Sequence, residues 1–496
     1  MGASTSAASA TITSVRTRKN VKTLTGVNDD LFWYARAVEK LKQDALDQSS
    51  SWWYMAAVHG IPASQRQRTA EGLQATPEPS RQDVATFWNQ CQHQTWYFLP
   101  WHRGYLACFE EVIAATVVSL GGPDGWALPY WNYSDATDSQ ARFLPKPFLD
   151  KNDQHGGINP LWVDGRNVAN GQVELDVNTV NLDVLTETDY EGSAASGDPG
   201  FGGLSTGFHH GDTPGVNGGL EDTPHNHVHV DVGGWMGDPD TAAADPIFWL
   251  HHANIDRLWE VWVNRPGSTG NPTGANWRTG ITFQVHGANN RVVSFTPGDM
   301  LDTSKVLHGY RYDDISDPFA QPAAGPSIAA MTPAPSPAAA HASMVAFSQP
   351  NIPITLGENA TPIKFDPQAH ATAMAAVPSV PGRPHRVMLH VEHMTGAGRS
   401  GSYQVFLRRR GETGQGVFAG MISTFGVAKA TQPDSHAGGN GITSVLNITR
   451  PIELLRRDGW NGQDLEVTIR PTRSAEIAHA HPETRLNIGR LSIYYS

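Results

Sequence analysis

Cysteine is nearly absent. Of 496 residues only Cys91 and Cys108 carry a thiol, which excludes a disulfide framework and suits a reducing compartment. A chain of this length buries enough apolar surface to fold without such staples. Long apolar runs are missing too. Nothing approaches the roughly 18–20 residues needed to cross a bilayer, so no membrane partner is expected. The first residues, MGASTSAASATITSVRTRK, lack the apolar stretch of a secretory signal, and a soluble cytoplasmic protein is the expectation. Met1, Gly2 and Ser6 match an N-myristoylation pattern, but a small polar tail is the better reading. Positive charge is also in deficit: 36 Lys and Arg stand against 48 Asp and Glu, a net charge of -12. With no basic run to track phosphates, nucleic acid is not an expected partner.

Histidine, by contrast, is placed in a pattern. One group reads WWYMAAVHG and then CQHQTWYFLPWHRGYL, with His59, His93 and His102. The other reads EDTPHNHVH and then DPIFWLHHANIDRLW, with His225, His229 and His252. His225 and His229 are four apart, so on a helix they share a face and can reach one metal. Neutral imidazole suits borderline transition metals, copper among them. Two other readings compete. A lone histidine in an apolar helix is most often a hydrogen-bonded core residue, and among 21 histidines chance pairs four apart are expected. Paired histidines at that spacing also bind zinc, as in a non-catalytic structural site.

The pattern of apolar residues, caps and breakers divides the chain. Helices are predicted over 30–48, Ser51–His59, 81–98, about Trp101–Val118 after an interruption at Pro100, 222–231 and 245–264. Residues 132–220 are loop-rich. A Pro/Ala-rich stretch, QPAAGPSIAAMTPAPSPAAA, reads as a semi-rigid linker. Beyond it, short and often alternating segments such as SYQVFLRRR and DLEVTIRP predict an all-β sandwich. The expected organisation is a mainly α, loop-rich domain at 1–319, a linker at 320–343 and a β domain at 344–496.

The segments WWYMAAVHGIP, HQTWYFLPWHRGYL, EDTPHNHVH and DPIFWLHHANIDRLW, spread over roughly 50–265, closely resemble the copper-A and copper-B signatures of the tyrosinase and polyphenol oxidase family. That resemblance implies a helical bundle around two coppers. His59, His93 and His102 would hold copper A, and His225, His229 and His252 copper B, with His251 and Asp256 standing behind them. It implies Cys91 joined to His93 by a thioether, with Cys108 left as a buried thiol. Glu221 and Asn226 would hold a water that takes the phenolic proton; the plainer role for Glu221 is to cap the following helix. The activity implied is oxidation of o-diphenols to o-quinones with dioxygen, together with hydroxylation of monophenols. The alternatives are a catechol oxidase without monophenol activity and a haemocyanin-like dioxygen carrier.

Tyr310-Arg311-Tyr312 matches the tyrosine motif that closes the family's catalytic domain, and Arg16 or Arg18 is placed to stack on it. The disulfide cysteines and transit peptide of plant members are absent, which points to a bacterial-type or fungal-like cytosolic member. The ending LNIGRLSIYYS resembles that of latent plant enzymes. The β domain is therefore expected to cover the copper pocket as a lid. No cysteine follows Cys108, so no thiol can plug the site; Phe406, Phe418 and Phe425 are equally placed to do so.

Overall fold

A computed structural model of the chain describes residues 15–153, 156–194, 197–208, 215–320, 343–366, 368–369, 386–435 and 437–495. The myristoylation pattern and the Pro/Ala-rich stretch lie outside those residues.

Two hydrophobic cores are present, one gathering residues between Val21 and Tyr312, the other between Val345 and Tyr495. At the centre of the first, the helices Phe98–Ser119 and Pro246–Val263 pack together, with Trp249 stacked on Phe109. Asp245 caps the second helix by accepting from the Ile247 N–H, and Arg166 pairs with the same carboxylate. Pro246 follows at the first helical position, where its missing N–H would have gone unpaired. The helix Asp30–Gln43 begins where Asp29 accepts from Leu31 and Phe32, and it turns Leu31, Tyr34, Val38 and Leu41 inward. That spacing is the amphipathic period of a helix.

Three predicted helices differ in detail. Pro100 does not interrupt: it is the third residue of Phe98–Ser119, in the first turn, where backbone N–H groups lack intrahelical acceptors anyway. The helix expected over 81–98 stops at Phe87. There the Asn89 and Gln90 N–H groups turn to the carbonyls of Ala57 and Val58, and Asn89 and Gln94 take positive φ of 54° and 58°. His93 therefore sits on a loop. The helix expected over 222–231 starts as a wide π-type turn, Glu221–Asn226, kinked at Thr223, and continues as the α-helix His227–Val232.

The two ends of this region are tied. Arg16–Arg18 and Tyr310–Tyr312 pair as parallel strands. Arg18, rather than Arg16, stacks over Tyr310 with its guanidinium 3.6 Å from the ring centroid. It also bonds Tyr312 Oη at 2.8 Å, Glu110 at 2.8 Å and Asp256 at 3.2 Å.

The second region is β-rich. Among the described residues its strands follow the path Val417–Ser423, Ser402–Arg409, Leu465–Pro471, Asn359–Phe365, Ser343–Phe347, Arg485–Tyr495, Val387–Ala397 and Ile442–Asn447, with Ile352–Ile354 paired to Arg485–Tyr495 off that path. The path ends on Gly215–Val216 of the first region, which pairs in parallel with Ile442 and Thr443. The all-β expectation is corrected by helices at Thr449–Arg457 and Arg473–His479. The first buries Ile452 and Leu455 on one face, a helical spacing that the strand-like neighbours obscured.

Removing Arg18 would leave the buried Glu110 carboxylate without its guanidinium. Arg18→Ala should therefore cost about 3–5 kcal/mol, seen as a lower midpoint in denaturant. An unchanged midpoint would show that the network carries no stability.

Candidate metal centre

Two groups of potential ligand atoms converge beside the paired helices. His59, Cys91, His93 and His102 form one, and His225, His229, His251 and His252 the other; within each group the atoms lie within 4.8 Å of one another. His59 ends the helix Trp52–His59, His102 rides the first turns of Phe98–Ser119, and His93 comes from the intervening loop. His225 leaves the π-type turn, His229 the helix after it, and His252 the helix Pro246–Val263. The groups face each other: His102 stacks on His252 with centroids 4.5 Å apart, and His93 stands 5.9 Å from His225.

Backbone carbonyls set the tautomers. His59 Nδ1 donates to Pro239 O at 3.0 Å, His102 Nδ1 to Phe98 O at 2.8 Å and His229 Nδ1 to Met236 O at 2.8 Å. A carbonyl can only accept, so each ring carries its proton on Nδ1 and turns the Nε2 lone pair inward. His225 Nδ1 bonds the Asn226 side-chain oxygen at 2.9 Å. Burial pushes His59 and His225 down to about 3 and holds His93, His102, His229 and His252 well below the usual imidazole value. All six rings are neutral, as metal ligands must be.

The donor set fits a metal. His229 Nε2 lies 3.1 Å from His225 Nε2 and 3.3 Å from His252 Nε2. Nitrogens bound about 2.0–2.1 Å from one ion at tetrahedral angles stand about 3.3 Å apart. His59 Nε2 is buried with no hydrogen-bond partner, a cost that a bound ion would remove.

The neighbouring residues divide. His251 is within its group, stacked on His225 and held through Nδ1 by Tyr133 Oη at 3.1 Å, with its Nε2 buried and without a hydrogen-bond partner. Asp256 is a correction. Its carboxylate is taken up by Arg103, Arg18 and the hydroxyls of Tyr310 and Tyr312, and bonds none of these histidines. One turn beyond His252, it belongs to the packing of the helix pair. Glu221 does not cap its helix. Both its oxygens accept from the Gln94 N–H, at 2.8 and 3.0 Å, which ties the loop of His93 to the turn of His225. Burial holds its pKa well above the usual carboxylate range. Cys91 Sγ lies 3.4 Å from His93 Nδ1 and 3.6 Å from Nε2, and also 3.4 Å from His102 Nε2. Cys108 is fully buried in its helix.

Beside the histidines lies a small cavity, about 70 Å³, that Glu221, Asn226, Cys91 and His93 line. The second region supplies part of its wall, from Phe425 to Ala437. Phe425 lies flat on His229, with centroids 4.2 Å apart and planes 16° from parallel. Phe406 and Phe418 pack on each other instead. The contact is secured on the segment that carries His225 and His229: His227 Nδ1 bonds Ser402 Oγ at 2.8 Å, Ser444 donates to Asp222 at 3.0 Å and Ser474 to Asp231 at 2.9 Å. Sequence reasoning missed His227. Its position off the shared face was legible, but its partner lies 175 residues away.

A family model described as the common central domain of tyrosinase matches residues 49–195 and 164–265. A domain of unknown function matches 341–496. A tyrosinase of Hahella sp. (strain CCB-MM4) is 35% identical over 497 residues, spanning 97% of this chain and 99% of that one. The chain belongs to the tyrosinase and polyphenol oxidase family. Members are dicopper proteins that act on phenols with dioxygen, and the two histidine groups fit the two copper sites. A chloroplastic polyphenol oxidase of Vicia faba is 31% identical over 251 residues, 46% of this chain and 38% of that one. Latent apple tyrosinase shares the fold along 97% of both chains, with a TM-score of 0.57 at 21% identity. As in that structure, a helical region precedes a β-rich one. No helix among the described residues is long and apolar enough to cross a membrane.

The contact between the two regions should respond to pH. Burial pushes Asp222 and Asp231 up to about 6, against the hydroxyls that donate to them. A folded value above the unfolded 3.8 means that the contribution is complete below about pH 4 and is lost as pH rises through about 6. In Asp222→Asn the loss is absent at that position. The melting temperature of the variant relative to the unsubstituted chain should therefore rise between about pH 4.5 and about pH 7.5. A constant difference across that range would count against the raised value.

Proposed function

We propose that the protein is a latent polyphenol oxidase that uses dioxygen to oxidise o-diphenols to o-quinones and also hydroxylates monophenols. Two diphenols would give two quinones while one dioxygen becomes two waters. The observation that carries the reading is the set of six neutral imidazoles, five buried and His93 half-buried, facing one another in two groups, with Phe425 lying across the second. In this reading His59, His93 and His102 hold one copper and His225, His229 and His252 the other. The coppers, when bound, supply dioxygen binding and electron transfer. The remaining work falls to the chain. Backbone carbonyls of Phe98, Pro239 and Met236 orient the rings. Glu221, its proton affinity raised by burial, takes the phenolic proton through a water that Asn226 helps to hold. Cys91 Sγ, nearly equidistant from both nitrogens of His93, faces the carbon between them. A thioether there, formed as dioxygen takes up the two hydrogens lost from the thiol and the ring, would fix that ring in one orientation.

Residues 1–319 would be the catalytic domain, 320–343 the linker and 344–496 a β-sandwich lid built around its helices. Phe425 is the side chain that keeps a phenol off His229. A catechol oxidase without monophenol activity is the second reading. It is favoured by the Asn226 oxygen being already engaged by His225, which leaves only its amide for a water.

Elemental analysis of the copper-loaded chain should find two coppers, and His229→Ala should lose one of them together with all diphenol oxidation. A His229→Ala protein that keeps full activity would sink the assignment. Rates on a matched phenol and catechol decide between the two enzyme readings.

Phe425→Ala should raise the rate of the intact chain on catechols by about tenfold or more, since withdrawing the ring costs about 1.5–3 kcal/mol of burial. Phe406→Ala should leave that rate as it was. Equal behaviour of the two variants would argue that the β-rich region stabilises the fold and does not gate it.

A further inference from the structure

Phe425 does not enter the pocket alone. Gly426, at φ +75°, turns the chain into the short helix Val427–Ala430, and Lys429 on that helix lines the same cavity. Among the residues lining that cavity, Lys429 brings the one ammonium or guanidinium. It pairs with Asp240 of the first region. Asp240 is held in a fixed relation to the histidines, because it follows Pro239, whose carbonyl accepts from His59 Nδ1 at 3.0 Å. Pro239 itself lines the cavity. The lid thus offers the pocket two groups four residues apart: an aromatic ring lying on His229 and an ammonium on Asp240.

That pair has the chemistry of a small molecule. A phenol carrying a basic side-chain amine also presents an aromatic ring and an ammonium a few atoms away. When the lid segment withdraws, the Asp240 carboxylate, next in sequence to the cavity-lining Pro239, is left without its cation, and the lining that stays behind offers no other positive charge. We propose that Asp240 is a specificity-determining residue of the open pocket, binding the ammonium of phenolic amines, and that Phe425 with Lys429 holds the pocket closed by imitating such a substrate. The proposal rests on the phenol-oxidase reading above. The Asp240 side chain is about a quarter exposed and Lys429 about a third. The attraction is therefore partly screened, worth a modest factor in binding and sensitive to salt.

The test keeps the full chain. Phe425→Ala and Lys429→Ala together open the pocket without removing the lid domain. With copper bound, kcat/KM is measured for 3,4-dihydroxyphenethylamine, 4-methylcatechol and 3,4-dihydroxyphenylpropionate at low and at high salt. The amine should be preferred to the propionate by about tenfold, and salt should shrink that preference. Adding Asp240→Asn should lower the ratio of amine to 4-methylcatechol about two- to fivefold, mainly through KM, whereas Asp240→Glu should restore part of it. Equal loss on all three substrates, or an unchanged ratio, would overturn the proposal in favour of a purely structural ion pair. A second readout is independent of turnover. Binding of 2-phenylethylamine, which has no hydroxyl to oxidise, should weaken by the same factor in Asp240→Asn when followed by calorimetry. No difference there overturns the proposal even if the chain is a phenol oxidase. Failure to oxidise any of the three catechols, with the binding difference intact, would instead overturn the phenol-oxidase reading alone.

Discussion

The structure depends on keeping imidazoles neutral, buried and aimed. A protonated ring in this setting would repel its neighbours and could not bind a cation; burial drives the pKa values down far enough that none carries a proton to spare. Neutrality alone does not aim a ring. The backbone carbonyls of Phe98, Pro239 and Met236 do so by accepting the Nδ1 proton, because an N–H buried without an acceptor would cost more than the bond returns. The Nε2 lone pairs are left pointing at one another, an arrangement that a cation between them would stabilise.

Such convergence needs a rigid frame. The helices that bear His102 and His252 are locked by charges placed beyond the histidines. Asp256, one turn past His252, gathers Arg103 from beside His102 and Arg18 from the N-terminal strand. The hydroxyls of Tyr310 and Tyr312 close the set from the far end of the region. A buried carboxylate with two guanidiniums and two hydroxyls is satisfied on every side, and such a network has one good geometry. Glu221 plays a comparable part nearer the site by holding the loop of His93 to the turn of His225.

The β-rich region grips the segment from Asp222 to Asp231 most closely, and adds ion pairs from Arg386 to Glu187 and Asp198 and from Lys429 to Asp240. Ser444, Ser402 and Ser474 reach Asp222, His227 and Asp231, and Ile442–Asn447 adds Gly215–Val216 to its sheet. The same region that would cover the pocket is therefore bonded to the residues that carry two of the proposed ligands. Docking of this region and the placement of His225 and His229 are mechanically joined.

Some of this was determined by local sequence. The four-residue spacing of His225 and His229, the caps Asp29 and Asp245, the Pro/Ala-rich break and the flanking motifs identify two histidine groups and a change of architecture, since these depend on neighbours within a turn or two. Where nearby residues did not decide, sequence reasoning went astray. RQDVATFWNQC reads as one helix, yet it ends at Phe87 because the next N–H groups find acceptors on the helix Trp52–His59. Asp256 sits near the histidine doublet in sequence, but its charge is drawn to arginines distant along the chain. Phe406, Phe418 and Phe425 were alike in sequence. Only the fold, by pairing Phe406 with Phe418 and turning the chain at Gly426, brings Phe425 onto His229. Helical spacing and caps act over a few residues, whereas hydrogen-bond acceptors, counter-charges and pocket walls arrive from anywhere in the chain.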